Sequence, residues 1–230
     1  MPNDSAPATV VILARLDAAT TEEGFGMLAE AVRRTGAAVT WVADGATLDR
    51  LTDGGGEWGW ALALDRGEGD SRQGLRQHLK SLRHTAVDAV VVPDGGGIVH
   101  RDLLVDAGIH TAVVDRFDDL PRGNRRPAPE GWACRSLVWG LWEVASTPAR
   151  TGSLLGRLFP WAGDPAAGSL TIVTPPCAGA GVHAAADRVT RVIGAYRAGR
   201  LPTRLVRLGD LPTLLGSGCQ PTGGSVLRAA

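Results

Sequence analysis

The sequence has no excess of charge of either sign and no long apolar run. Lys and Arg together number 24, as do Asp and Glu, so the formal net charge at pH 7 is zero. This balance argues against a nucleic-acid partner, which requires concentrated positive charge. No stretch approaches the roughly 20 apolar residues of a membrane span, and the polar residues 1–5 lack the basic region of a signal peptide. We therefore expect a cytoplasmic protein that binds neither nucleic acid nor membrane.

Cysteine and tyrosine are also scarce. The three cysteines, Cys134, Cys177 and Cys219, are widely spaced and form no Cys-x-x-Cys pair, which argues against a disulfide framework or a zinc knuckle. Seven tryptophans stand against one tyrosine and three phenylalanines. Tryptophan suits sugar rings and flat aromatic ligands as well as protein cores.

What the sequence does contain is a regular alternation of short apolar runs and helical stretches. Its 230 residues fit one domain, which we place at 9–215 between a tail at 1–8 and a Gly/Ser/Thr-rich tail at 216–230. The runs predict strands at 9–14, 38–42, 58–64, 89–92, 111–114, 138–144 and 169–173, with 205–208 closing the fold. Helices are predicted up to Gly36 and at 73–82, 102–107 and 184–197. This order predicts an α/β fold with a mostly parallel sheet, open or closed.

In such folds the chemistry lies at the carboxyl ends of the strands. The residues predicted at those ends are Asp17, Trp41, Trp60 or Asp65, Asp94, Asp115, Glu143 and Thr174, and several of them are carboxylates. We therefore expect a ligand site where these ends meet.

The order and spacing of several motifs resemble the polysaccharide deacetylases of the NodB-homology type. The stretch 12–18, Ile-Leu-Ala-Arg-Leu-Asp-Ala, stands where that family has a strand ending in Phe-Asp-Asp. The stretch 56–65 matches the spacing of the family's His-Glu-Ile-Gly-x-His-Thr-x-x-His motif. Residues 93–95, 106–109 and 169–174 resemble three further sequence motifs of the family. The resemblance implies a single-domain, distorted (β/α)7-type barrel.

The resemblance also implies where a catalytic metal would sit, and there the sequence departs from the family. Deacetylases hold the metal with one Asp and two His, but the matching positions here are Ala18, Ala61 and Asp65. The family's general-acid His falls at Thr174, and its base position keeps Asp17. A catalytic metal needs about three protein ligands. We therefore expect no metal and no other cofactor.

Asp17 and His183 are the candidate catalytic residues. Asp17 would act as an acid or base with a raised pKa, or it could simply cap the helix that follows. His183 could replace the missing acid, with Cys177 as a nucleophile nearby, or it could cap a helix beside an inert thiol.

The candidate substrate-binding residues also have structural alternatives. Trp60 could face a ligand or belong to the core. Asp65 could line the pocket or lie in a solvated loop, and Asp94 in Pro-Asp-Gly-Gly-Gly could approach a ligand or form a plain turn. Glu143 could contact the ligand or pair with an arginine such as Arg116, and Thr174 is expected at the pocket.

Two functions of different classes follow from these candidates. The first is a metal-independent enzyme that acts on a small molecule or sugar derivative through Asp17. The alternative is a non-catalytic deacetylase homologue that binds a glycan or supports a partner chain, with a homodimer also open. A third reading, a working deacetylase with an unusual metal set, would need Asp17 and Asp65 to converge with Asp94 or His183.

Overall fold

The structure is a computed structural model that describes residues 7–51, 58–64, 71–82, 87–92, 100–114, 134–136, 140–145, 167–177, 179–199 and 201–216. Its strands are β1 (Ala8–Arg15), β2 (Thr40–Ala43), β3 (Gly59–Ala63), β4 (Val87–Val91), β5 (Thr111–Val114), β6 (Cys134–Ser136), β7 (Trp142–Ala145), β8 (Leu170–Val173) and β9 (Thr203–Val206). Its helices are α1 (Glu22–Thr35), α2 (Gly45–Leu51), α3 (Arg72–Ser81), α4 (Arg101–Asp106), α5 (Val182–Arg197) and α6 (Leu211–Gly216), with a 3-10 turn at Leu208–Asp210.

The strands form one sheet in the order β6-β7-β5-β4-β3-β2-β1-β8. The seven strands from β7 to β8 are parallel, β6 is an antiparallel addition beside β7, and β9 pairs in parallel with β1. This half-barrel of parallel strands with helices is consistent with a distorted (β/α)7 barrel, so the predicted fold class is confirmed.

Strand β1 is buried on both faces because almost all of it is apolar, and it pairs with β2, β8 and β9. Its first seven residues are buried and only Arg15 is exposed. Val10 and Ile12 face the helices, whereas Val11 and Leu13 face the inside of the half-barrel. Burying each such side chain contributes about 1.5–3 kcal/mol, so this one strand anchors both layers of the core.

Helix α1 shows how the sequence sets its own boundaries. The Thr21 hydroxyl accepts a hydrogen bond from the Gly24 N–H (3.1 Å) and so caps the helix. Gly36, with φ of 63°, ends it in the left-handed conformation that glycine adopts without strain. The buried face of α1 includes Phe25 and Val32 and packs on the outer side of the sheet.

Helices α1 to α5 contribute to the core on the outer face of the sheet, but α6 packs on the inner face. The 3-10 turn before it contacts β3 and β4, and the Leu208 N–H donates to Thr40 Oγ1 (2.8 Å) at the amino end of β2. The segment 208–216, here called the plug, therefore closes the amino end of the half-barrel. No helix in the described part of the chain is long and apolar enough to cross a membrane.

Candidate functional site

The carboxyl ends of the parallel strands surround a small cavity of about 60 Å³, here called the mouth cavity. It is lined by Leu13, Arg15, Val42, Ala63, Val91 and Thr174. Arg15 and Ala63 are the last residues of their strands, and Thr174 directly follows β8, where the sequence placed it. Parallel barrels bind their ligands at this end, so the mouth cavity is the candidate site.

Asp17 lies beside the mouth, in the turn between β1 and α1. Its Oδ1 accepts hydrogen bonds from the Ala19 N–H (3.1 Å) and the Thr20 hydroxyl (3.1 Å). Its Oδ2 accepts one from the Gly179 N–H (2.7 Å), which belongs to the loop between β8 and α5. One carboxylate therefore ties together the loops that follow β1 and β8.

These hydrogen bonds favour the charged form of Asp17. The N–H of Gly179, followed by the hydroxyl of Thr20 and the N–H of Ala19, holds the pKa of Asp17 below its ordinary value of 3.8. Hydrogen bonds to the charged form favour ionisation. The expectation of a raised pKa is therefore wrong. A carboxylate with a lowered pKa takes a proton poorly at neutral pH and is a weak general base.

The surroundings of Asp17 reinforce this structural role. Arg50, on α2, donates from the same nitrogen to the carbonyls of Ala18 (3.0 Å) and Thr20 (2.8 Å). Gly179 has φ of 71°, a conformation that a side chain would strain, and it presents its N–H to Asp17. The turn after β1 is thus fixed from both sides.

The metal implied by the family resemblance does not fit the described residues. Ala61 is fully buried on the inner face of β3, and Ala18 is exposed in the turn after β1. Neither side chain has a lone pair to donate. No group of three His, Cys, Asp or Glu side chains suited to a metal occurs within the described ranges. We derive no chemical step through a metal.

Trp60 does not face the mouth, contrary to the sequence prediction. It is the second residue of β3 and faces the outer core, where its ring lies 5.1 Å from that of Phe25. Trp41 and Trp58 pack against the same phenylalanine, at 5.3 and 6.4 Å. Side chains alternate along a strand, and Ala61 takes the inner face, so Trp60 must point to the helices.

Glu143 also lies away from the mouth. It is the second residue of β7, and its inward-facing neighbours Trp142 and Val144 direct it towards the helices. Its side chain is 1% exposed and accepts a hydrogen bond from Arg101 Nε (2.7 Å). The expected contact with a ligand is therefore wrong. In the described structure this glutamate pairs with Arg101 of α4, and Arg116, the arginine that the sequence suggested, lies outside the described residues.

The described contacts do not join His183 and Cys177 into a catalytic pair. His183 is exposed on the first turn of α5, and Cys177 is buried in the preceding loop. Burial raises the pKa of the Cys177 thiol to about 11, so the thiolate needed of a nucleophile is scarce at neutral pH. No side-chain hydrogen bond caps α5, so His183 does not cap it either.

Three further candidates, Asp65, Asp94 and Arg116, lie outside the described residues. The residue that the sequence analysis missed at the mouth is Arg15. Its signal was present in the sequence: a charged residue ends a strand that is otherwise almost entirely apolar.

A larger cavity of about 480 Å³ lies between α3 and α4 at the outer surface. Its apolar wall includes Leu79 and Leu103, and its charged edge includes Arg76 and Asp106. It borders Val87 and Ile109, near the amino ends of β4 and β5. Size alone would favour it, but its place at the wrong end of the parallel strands leaves the mouth cavity as the better site.

Comparison with known proteins finds a similar solved structure but no similar sequence. No protein-family model and no curated protein matches the sequence. A solved structure described as a "putative polysaccharide deacetylase" from Mycobacterium smegmatis is similar, with a TM-score of 0.54 and 13% sequence identity. The match covers 93% of this chain and 94% of that chain. At this identity the likeness shows the fold alone, and this chain has a polysaccharide-deacetylase-like fold.

Proposed function

We propose that this chain is a non-catalytic member of the deacetylase fold that binds a carbohydrate-class ligand at the mouth cavity. The observation that carries the proposal is the state of Asp17. Both of its oxygens accept hydrogen bonds from the loops around them, and these bonds lower its pKa. Asp17 is the residue best placed to act as a base, but its hydrogen bonds instead hold together the loops that follow β1 and β8.

The departures from the family's metal ligands support the same conclusion. Ala18 and Ala61 stand at two of the three matched metal positions and offer no ligand atoms. The mouth keeps a different polar pair, Arg15 and Thr174, over an apolar floor. Such a pocket, apolar with a few polar groups, is suited to holding a ligand in one orientation.

The test is to separate binding from turnover. The protein is titrated with glucose, N-acetylglucosamine and glucuronate by isothermal titration calorimetry, and each mixture is then analysed by mass spectrometry after long incubation. We expect a heat of binding for at least one sugar and no change in its mass. Parallel incubations with added Zn²⁺, Co²⁺ or Ni²⁺ and acetylated chitooligosaccharides should release no acetate. Acetate release in any of them would contradict the proposal.

The second candidate is a metal-independent enzyme in which Asp17 acts on a bound small molecule. Its position at the carboxyl end of β1, beside the mouth, favours this function. Asp17→Asn separates the two candidates, because an amide still accepts a hydrogen bond but cannot take up a proton at neutral pH. An enzyme would lose turnover, whereas a binding protein would keep its ligand affinity. The stability of the variant should fall somewhat in either case, because an amide has only one oxygen to accept the hydrogen bonds of Asp17.

A further inference from the structure

We propose that Arg15, together with Thr174, forms a carboxylate-binding site, so that the ligand of the mouth is an acidic sugar or a similar small acid. This inference rests on the proposed function, which it deepens by naming the chemical class of the ligand.

The first argument is the place of Arg15 in its strand. Along β1 the inward-facing positions are Val11, Leu13 and then Arg15. The fold requires apolar residues at the first two, because they fill the half-barrel. At the third, the cation lines the mouth cavity and is exposed. A charge at the end of this otherwise buried strand adds nothing to the core, and its position suits contact with a ligand.

The second argument is that Arg15 makes no hydrogen bond or ion pair with any described residue. Three other arginines of the described structure are engaged. Arg50 binds two carbonyls of the turn after β1, Arg101 binds Glu143, and Arg188 binds the carbonyl of Pro176. Asp17 is only two residues away, but its oxygens take backbone N–H groups and a hydroxyl.

The third argument is the chemistry of the residues that line the cavity. Besides Arg15, Thr174 on the β8 side carries a hydroxyl, and the other lining residues are Leu13, Val42, Ala63 and Val91. Because apolar walls lower the local dielectric constant, they strengthen an ion pair formed between them. A ligand group with negative charge would gain most from this arrangement.

The fourth argument is size and shape. A cavity of about 60 Å³ is small, and it holds a group of a few heavy atoms more readily than a whole sugar ring. A carboxylate has three heavy atoms, and its plane matches the fork of a guanidinium in a bidentate pair. It also carries one negative charge, which the single charge of Arg15 balances. A phosphate would bring a charge of about −1.5 to −2 at neutral pH, more than one arginine compensates.

The test compares an acidic sugar with its neutral and phosphorylated relatives. Glucuronate, glucose and glucose 6-phosphate are titrated at constant ionic strength into the wild-type chain, Arg15→Gln, Arg15→Lys and the control Arg191→Gln. Arg191 is 68% exposed on α5 and meets only Asp187, at 3.7 Å, among the described ion pairs. We expect glucuronate to bind at least about tenfold more tightly than glucose, and Arg15→Gln to remove that difference. Arg15→Lys should keep part of it, and Arg191→Gln all of it.

The outcomes separate the inference from the proposed function. Equal affinity for glucuronate and glucose, or an unchanged preference in Arg15→Gln, overturns the carboxylate site and leaves sugar binding standing. Tighter binding of glucose 6-phosphate than of glucuronate overturns the carboxylate class. If no sugar binds, the proposed function fails, and acetate then decides the inference. Acetate should protect Arg15 from modification by phenylglyoxal, measured by mass spectrometry, without protecting Arg191; equal modification with and without acetate overturns the site.

Discussion

The two ends of the half-barrel differ in what their side chains do. At the amino end the plug places Leu208, Leu211 and Leu215 in the inner core, each fully buried. At the carboxyl end the exposed Arg15 and Thr174 line an open cavity instead. The residues of the amino end thus contribute to stability, whereas the mouth carries the polar groups that we propose to bind a ligand. Parallel barrels in general divide stability and function in this way.

The largest effect on stability should come from the plug. Leu211→Ala removes a fully buried side chain and leaves a cavity, so we expect the free energy of unfolding to fall by about 2–5 kcal/mol. Urea denaturation followed by circular dichroism measures the loss. Sugar affinity at the mouth, measured on the folded fraction, should not change.

Leu214 of the same helix provides the matched control, since it is only partly buried against the inner core. Leu214→Ala should cost clearly less than Leu211→Ala. Equal losses for the two variants would show that α6 does not pack as described, and the contrast between the two ends would lose its basis.

A smaller loss is expected at the bridge formed by Asp17. Asp17→Ala removes the acceptors for three hydrogen bonds in a partly exposed turn, which should cost about 1–2 kcal/mol. Asp49, which is exposed on α2, is the control, and Asp49→Ala should change stability by less than about 0.5 kcal/mol. Urea midpoints of the three proteins at neutral pH give the comparison.

The loss at Asp17 should depend on pH in a defined direction. Because the pKa of Asp17 is lowered in the folded state, its contribution is present above the ordinary value of 3.8 and disappears as the pH falls through the folded value. Wild type and Asp17→Ala should therefore converge in acid. A difference that grows in acid would contradict an ionised bridge.

The amino end contains a carboxylate of the opposite kind. Asp88 lies so close to Gly209 that a Cβ there would come within 1.8 Å of its Oδ2. Asp88 is exposed as a residue, but the packing of its carboxylate against the 3-10 turn desolvates it in part. This desolvation, and then the negative charge of Asp210, raise the pKa of Asp88, while Arg207 and His110 oppose the shift. The charged form of Asp88 is therefore unfavourable in the folded state. The free energy of unfolding should fall as the pH rises above 3.8 and Asp88 becomes charged.

We expect Asp88→Asn to be at least as stable as the wild-type chain at pH 7, with the advantage vanishing in acid. Urea midpoints measured across the pH range test this directly. A variant that is less stable at neutral pH and equal in acid would show that the charged form is the favoured one, as at Asp17. Ionisation of the carboxylate would then stabilise the fold at both ends, and the contrast between Asp17 and Asp88 would be lost.

Sequence patterns predicted most of the sheet and the boundaries of α1, because long apolar runs and cap residues such as Thr21 and Gly36 act locally. They missed α2 and α6, the helix of the plug. These helices have seven and six residues and are too short to display a helical period. They misplaced Trp60 and Glu143 for another reason. Strands buried on both faces lack alternation, so the sequence does not tell which face a residue takes.

The smallest effect on stability should come from the residue with the largest effect on binding. Arg15 is exposed and forms no bond with a described residue, so Arg15→Gln should change the free energy of unfolding by less than about 0.5 kcal/mol. Urea denaturation without ligand measures this, and a repeat at one fixed glucuronate concentration should stabilise the wild type more than Arg15→Gln, because a ligand that binds the folded state more tightly raises its stability further. A loss of more than about 1 kcal/mol without ligand would make Arg15 a structural residue, and the mouth would then resemble the amino end.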